Sequence, residues 1–166
     1  MINNKWFCSP DNYRESWCFL IFENKKVKNT IEIQSWNLGY GNPHRLIKLK
    51  TSKGKQERKV IKDVLQELNY CRKNHLRIIT LNENDVKTLR TRCIQLHIQD
   101  ASLQKINYIS LEGIIQTYFT FDFKKDESIF NQIANILNIK EKDDSKPEQF
   151  RKILNKIGPL LPREVF

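Results

Sequence analysis

The chain has 166 residues, of which 39% are hydrophobic, and this is enough to bury a core in a single domain. It contains no run of 18 apolar residues, and its first residues lack the apolar segment of a secretory signal, so we expect a cytoplasmic protein without a membrane span. The formal net charge of +10 favours a polyanionic partner.

The four cysteines, Cys8, Cys18, Cys71 and Cys93, form no Cys-x-x-Cys pair. Three of them lie within apolar patterns, where a thiol behaves as a small hydrophobic side chain. We expect reduced core residues rather than disulfides or zinc ligands.

The positive charge is concentrated in the first third of the chain. Residues 1–62 carry 13 Lys and Arg against 5 Asp and Glu, a balance of +8, whereas residues 63–166 carry 16 against 14, a balance of +2. A field of that sign attracts phosphate polyanions. The alternative is a lysine-rich face that only keeps the protein in solution.

Three segments of this first third have the character of strands. Residues 17–23 are apolar and aromatic, and residues 30–38 and 44–51 alternate between apolar and polar side chains. The polar segment 24–29 and the turn-like sequence GYGNP at 39–43 separate them. The spacing predicts an antiparallel meander.

An apolar stripe over residues 55–74 predicts a long helix, followed by a strand over 76–81 and a helix over 84–96. A strand reached through a long helix is usually parallel to its neighbour. Residues 106–119 predict a short strand that leads into a helix capped by Ser110. Two further helices are predicted, one over 126–139 and one that ends at Gly158 and Pro159.

This order of elements, together with three sequence stretches, resembles a known family. The stretches are FLIFE, IITLNENDVKTLRTRC and SLEGIIQTYF followed by SIFNQIANILNIKEK. From Trp17 to about Ile157 the chain is similar to the DEDD 3'-to-5' exonucleases, especially the proofreading domains of family B DNA polymerases and their stand-alone archaeal and bacterial relatives. The resemblance implies a single α/β domain over 1–166 with the ribonuclease H-like fold, in which three antiparallel strands are joined by parallel strands.

The resemblance also implies four acids that hold two divalent metals, Mg²⁺ or Mn²⁺. In place of the first motif, Asp-x-Glu, this chain has Glu23, Asn24 and Lys25. Glu23 can replace the first acid, but Lys25 puts a cation where the second acid should be. Lys25 would repel a metal and attract a phosphate.

The acid of the second motif corresponds to Asp85. The third motif requires an Asp on the last helix, which has none, so Asp143 and Asp144 in the preceding loop are the nearest carboxylates. Tyr118 and Asp122 have the spacing of that motif but precede the expected helix, and we treat the pair as coincidence. Glu23 and Asp85 would be metal ligands only in an active enzyme.

Asp85 also has a purely structural interpretation. Asn82 as the N-cap and Asp85 three residues later would satisfy the free amides at the start of a helix. We weigh this equally with the metal-ligand interpretation.

The cations that run from the third predicted strand into the first predicted helix form a candidate nucleic-acid interface, which we call the lysine strip. With Lys25, its members are Arg45, Lys48, Lys50, Lys53, Lys55, Arg58, Lys59 and Lys62. Trp36, Tyr40 and His44 stand near its start as candidate base-stacking surfaces, although aromatic residues at a turn more often pack into the core. Of Arg90 and Arg92, which point away from each other on one helix, we expect one to pair with an acid and one to face a ligand.

Three functions follow from these features. The first is a nucleic-acid-binding domain of exonuclease type, acting on DNA or RNA, that has lost most of its cleavage chemistry and needs no cofactor. The second is an active Mg²⁺- or Mn²⁺-dependent 3'-to-5' exonuclease that uses Glu23, Asp85 and one of Asp143, Asp144 or Asp122. The third is a scaffold whose basic face contacts an acidic protein.

Overall fold

The computed structural model describes residues 17–42, 45–139, 145–162 and 165. Its strands are β1 (Trp17–Val27), β2 (Thr30–Asn42), β3 (Arg45–Lys53), β4 (Arg77–Thr80) and β5 (Tyr108–Ser110). Its helices are α1 (Glu57–Lys73), α2 (Asn84–Gln95), α3 (Leu111–Tyr118), α4 (Ile129–Ile136) and α5 (Lys146–Ile157). None of the helices within these ranges is long and apolar enough to cross a membrane.

The five strands form one mixed sheet in the order β3-β2-β1-β4-β5. β1, β2 and β3 are antiparallel, whereas β4 is parallel to β1 and β5 is parallel to β4. The predicted meander and the predicted parallel strand after α1 are therefore confirmed.

Two predicted connections are wrong because the antiparallel ladder continues through them. β1 extends to Val27 and turns through only Lys28 and Asn29, so residues 24–27 pair with β2. The glycines of the predicted turn at 39–43 belong to β2, where Gly39 pairs with Phe19. A Cβ at Gly39 would lie 2.1 Å from Cζ of Phe19, so this glycine makes room for an aromatic ring.

Helices cover both faces of the sheet and enclose two apolar clusters. One face of β1, with Trp17, Phe19 and Ile21, packs against α3, α4 and α5. The other face packs against α1 and α2 and buries Cys18, Cys71 and Cys93, none of which forms a disulfide. The prediction that these three thiols belong to the core is confirmed, whereas Cys8 lies outside the described residues.

A β-bulge in β2 changes which side chains face α1. The pairing shifts between Glu23 and Asn24, so that Glu23 lies opposite Ser35 and Asn24 lies opposite Ile33. Strict alternation would place Ile33 and Trp36 on opposite faces, but the extra residue puts both into the cluster beneath α1.

Candidate functional site

Asp85 lies at the start of α2, directly beyond the carboxyl end of β4. Its side chain is buried, and its Oδ2 accepts the backbone N–H groups of Leu81 and Asn82 at 3.1 and 3.2 Å. Asn82 in turn accepts the N–H of Asn84 at 2.9 Å. The N-cap residue of α2 is Glu83, whose side chain makes no cap bond, so the predicted N-cap, Asn82, lies one residue before the observed one. Its bonds and those of Asp85 still fasten the end of β4 to α2.

A second carboxylate, Glu112, lies beside Asp85 and was not identified from the sequence. It occupies the first turn of α3, whose N-cap is Ser110, and its backbone N–H donates to the carbonyl of Leu81 at 3.2 Å. The signal that could have revealed it is the predicted Ser110 cap, because parallel strands end at the same edge of a sheet and bring their following residues together.

The two carboxylates share a partly dehydrated environment. Burial raises the pKa of Asp85 above its ordinary value, while its two backbone hydrogen bonds and the charge of Lys146 oppose that increase. Burial also raises the pKa of Glu112, and the negative charge of Asp85 raises it further. Each carboxylate therefore ionises at a cost, which the positive charge of Lys146, at the start of α5, partly offsets for Asp85.

Glu23 lies further along the sheet than the end of β4, just beyond which Asp85 accepts its backbone hydrogen bonds. The last pair between β1 and β4 is Leu20 with Thr80, so the β1 residue level with Leu81 is Ile21. Glu23 lies two residues further on, about 7 Å along the strand. Its side chain is exposed and accepts a hydrogen bond from Ser35 at 2.7 Å. Lys25 lies beyond the bulge, exposed, and is paired across the strands with Glu32.

Aromatic and aliphatic side chains fill the space between β1 and α5 instead of acids. Phe19 and Ile21 are buried on the α5 side of β1, and the ring of Phe19 stacks on that of Phe150 at 4.9 Å between centroids. The buried residues of α5 are mostly apolar and include Ile153. This part of the fold is therefore packed as core.

Among the residues that the structure describes, the remaining predicted acids do not add to this group. Asp143 and Asp144 lie outside the described residues. Asp122 is exposed in the segment after α3, and Tyr118 is also exposed. Across the ranges that the structure describes, no group of three or more His, Cys, Asp or Glu side chains could hold a metal ion.

The ribonuclease H-like resemblance implies a pair of divalent metals, and the described residues do not fit one. Asp85 already uses one oxygen to accept two backbone amides. Its neighbours on β1 offer no oxygen ligands, and two divalent cations need several carboxylates that converge. We therefore derive no catalytic step through a metal.

The part of the lysine strip on β3 is divided between the two faces of the sheet. Lys48 and Lys50 lie opposite Tyr40 and Leu38, on the α1 side, whereas Lys53 lies opposite Ser35 on the other side. Lys50 forms an ion pair with Glu67 at 2.7 Å. The side chain of Arg45 is not among those described.

On α1 the strip is divided again. Arg58 donates to the carbonyl of Leu96 at the end of α2, so its guanidinium has a structural partner. Lys55 precedes the helix, and Lys59 and Lys62 lie on its outer surface; all three are exposed. The structure therefore distributes the strip over several surfaces.

The aromatic residues near the strip are part of the core. Trp36 is buried and donates its indole N–H to the carbonyl of Val60 at 2.9 Å. Tyr40 is buried and donates its hydroxyl to Glu67 at 2.6 Å, and burial raises the pKa of that hydroxyl. Neither ring is available to stack on a base, and His44 lies outside the described residues.

Arg92 is the arginine of α2 that pairs with an acid. It is buried, and its Nε and Nη2 donate to the two oxygens of Glu57 at 2.8 and 2.5 Å. Glu57 also accepts the backbone N–H of Ile33 at 2.8 Å. Arg90 is exposed and makes one long bond, to the carbonyl of Leu103 at 3.3 Å.

The mixed sheet with helices on both faces defines an α/β protein of ribonuclease H-like fold. Neither protein-family models nor curated proteins match the chain. Among solved structures, it is similar to the nuclease domain of 3'hExo, which is described as a DEDDh family member bound to rAMP. That similarity has a TM-score of 0.63 at 12% identity, and it covers 90% of this chain and 94% of the other. At so low an identity the likeness is one of fold.

Proposed function

We propose that the chain is an exonuclease-like domain that binds DNA or RNA and lacks two-metal cleavage chemistry. The observation that carries this proposal is the packing of β1. Where its pairing with β4 ends, β1 presents Phe19 and Ile21 rather than carboxylates, and Phe19 is stacked on Phe150 of α5. A buried aromatic pair in this position supports the proposal, because its rings supply no ligands for the metal that hydrolysis of a phosphodiester needs.

The binding part of the proposal depends on charge and on fold. A net charge of +10 on a small domain favours contacts with phosphates, which supply most of the non-specific affinity for nucleic acid. The neighbour of similar fold is described as bound to rAMP, a nucleotide. We infer that this chain also takes a ligand built from nucleotides.

Binding is tested by fluorescence anisotropy with labelled single-stranded DNA and RNA over a range of salt concentrations. If four phosphates are contacted, the affinity falls about 50-fold between 50 and 200 mM salt. A salt-independent affinity, or none, would contradict the proposal. If an acidic protein displaces an oligonucleotide that carries the same total charge, the scaffold function is favoured instead.

Cleavage is tested by incubating the labelled strands with Mn²⁺ and with EDTA. We expect no EDTA-sensitive shortening of either strand. The competing function, an active 3'-to-5' exonuclease, is favoured by the adjacency of Asp85 and Glu112. Mn²⁺-dependent degradation that is lost in Asp85→Ala and kept in the exposed control Asp126→Ala would establish that function.

A further inference from the structure

A cleft of about 370 Å³ lies between the β1–β2 hairpin and α2, outside the carboxylate site. Its volume is within the range of ligand pockets, roughly 300–1,000 Å³. One wall is the hairpin, from Asn29 to Ile31. The other wall is a single stripe of α2 with Lys87 beside it, and the stripe consists of Asn84, Thr88, Thr91 and Gln95. We call this feature the hairpin cleft.

The lining of the hairpin cleft has no acid, and it offers several hydrogen-bond donors. The hydroxyls of Thr30 and Thr91 are not among them, because they donate to the carbonyls of Val27 and Lys87. The ammonium of Lys87 and the hydroxyl of Thr88 have no hydrogen-bond or ion-pair partner among the described residues. Gln95 uses its Oε1 to accept a bond from Arg92, at 2.5 Å, which leaves its Nε2 as a donor. Phosphate oxygens accept hydrogen bonds and donate none, so this lining complements a phosphodiester.

The hairpin adds further positive charge to the same side of the cleft. Lys26 is exposed and lies directly across from Ile31, so both side chains are on one face of the hairpin. Ile31 itself is 48% exposed, an apolar surface at the rim of the cleft. Arg92 is held by Glu57, so Lys87 is the cation of the lining that a ligand would meet, and Lys26 lies on the same face of the hairpin as Ile31.

We propose that the hairpin cleft, rather than the lysine strip, is the principal phosphate-binding subsite for a nucleic-acid strand. This inference rests on the proposed nucleic-acid binding and assigns it to a surface. In the strip, Lys50 and Arg58 are engaged by Glu67 and by the end of α2, and the remaining cations are spread over several surfaces. In the cleft, Lys87, neutral donors and the apolar rim at Ile31 surround one concave surface.

The test compares two double variants with the same change in charge. Lys26→Glu with Lys87→Glu alters the cleft, and Lys59→Glu with Lys62→Glu alters the exposed face of α1. Affinity for single-stranded DNA and RNA is measured by anisotropy, and folding is checked by circular dichroism. We expect the cleft variant to lose at least 10-fold more affinity than the control. Equal losses, or a larger loss in the α1 variant, would overturn the assignment.

A substitution that removes the charge of Lys87 gives an independent readout. Lys87→Gln should lower the slope of log affinity against log salt by about 0.7, which corresponds to one phosphate contact on a single strand. An unchanged slope would overturn the assignment while leaving the proposed function intact. If the unaltered protein binds neither DNA nor RNA, the proposed function itself fails. Equally tight binding of polyglutamate would show that the cleft accepts acidic chains in general and would overturn the nucleic-acid assignment.

Discussion

Residues with a left-handed backbone end three of the helices. His75, His97 and Asn138 have φ of 54°, 53° and 56°. At each end the next residue donates its N–H back five positions, for example from Ile98 to Cys93 at 2.8 Å. This is the Schellman arrangement, in which glycine normally occupies the left-handed position because a Cβ there is strained.

Replacement of His97 by glycine should therefore stabilise the protein. We expect His97→Gly to raise the free energy of unfolding by about 1 kcal/mol, equivalent to a Tm increase of about 2–4 °C, because the strain of the left-handed Cβ is relieved. Thermal unfolding followed by circular dichroism measures the change. His97→Ala, which keeps the Cβ, should give no such gain, and a lower Tm for the glycine variant would contradict this account.

The ionisation of a single residue, Glu112, opposes folding. Its pKa is raised in the folded protein, so the protonated form favours the folded state, and stability is lost as the pH rises through that raised pKa. Glu112→Gln, which is always neutral, should be more stable than the unaltered protein at pH 7. Urea unfolding between pH 4 and pH 7 measures the free energy of unfolding of both proteins. The difference between them should become smaller as the pH falls. A difference that is constant with pH would mean that the charge is not the cause.

Among the elements, β1 and β2 are fitted to each other through Phe19 and Gly39. Because a Cβ at Gly39 would overlap the ring of Phe19, we expect Gly39→Ala to cost about 1–3 kcal/mol. Gly54→Ala is the matched control, since its nearest neighbour would be an ordinary 3.5 Å from the new Cβ. Urea unfolding compares the two variants. Equal stabilities would show that the ring can move aside.

The Arg92–Glu57 pair joins α2 to α1 and, through Ile33, to β2. We expect Arg92→Met to cost about 3 kcal/mol, because Glu57 would remain largely buried without its partner. Arg90→Met, two residues away and exposed, should cost less than about 0.5 kcal/mol. Equilibrium unfolding in urea measures both. If Arg92→Met with Glu57→Gln is no more stable than Arg92→Met alone, the unpaired charge is not the source of the loss.

On the scale of the whole molecule, the two faces of the sheet are packed differently. The α5 side is closed by Phe19, Ile21 and Phe150, whereas the side of α1 and α2 borders the hairpin cleft. A cation bound at the carboxylates would stabilise the folded state by an amount that increases with the logarithm of its affinity. We expect millimolar Mn²⁺ to leave the Tm unchanged by differential scanning fluorimetry. A rise that EDTA reverses and that Asp85→Ala abolishes would reveal a metal site.

The sequence alone predicted the helices, the strands of the mixed sheet and the Ser110 cap, because periodicity and capping act within a few residues along the chain. It also located the strand-to-helix junction that contains Asp85. Only the tertiary structure decided that Ile21 rather than Glu23 is level with Leu81, and that Glu112 lies beside Asp85. The register of non-neighbouring strands, and the partners that neutralise Lys50 and Arg92, depend on packing between segments distant in sequence, which no local pattern encodes.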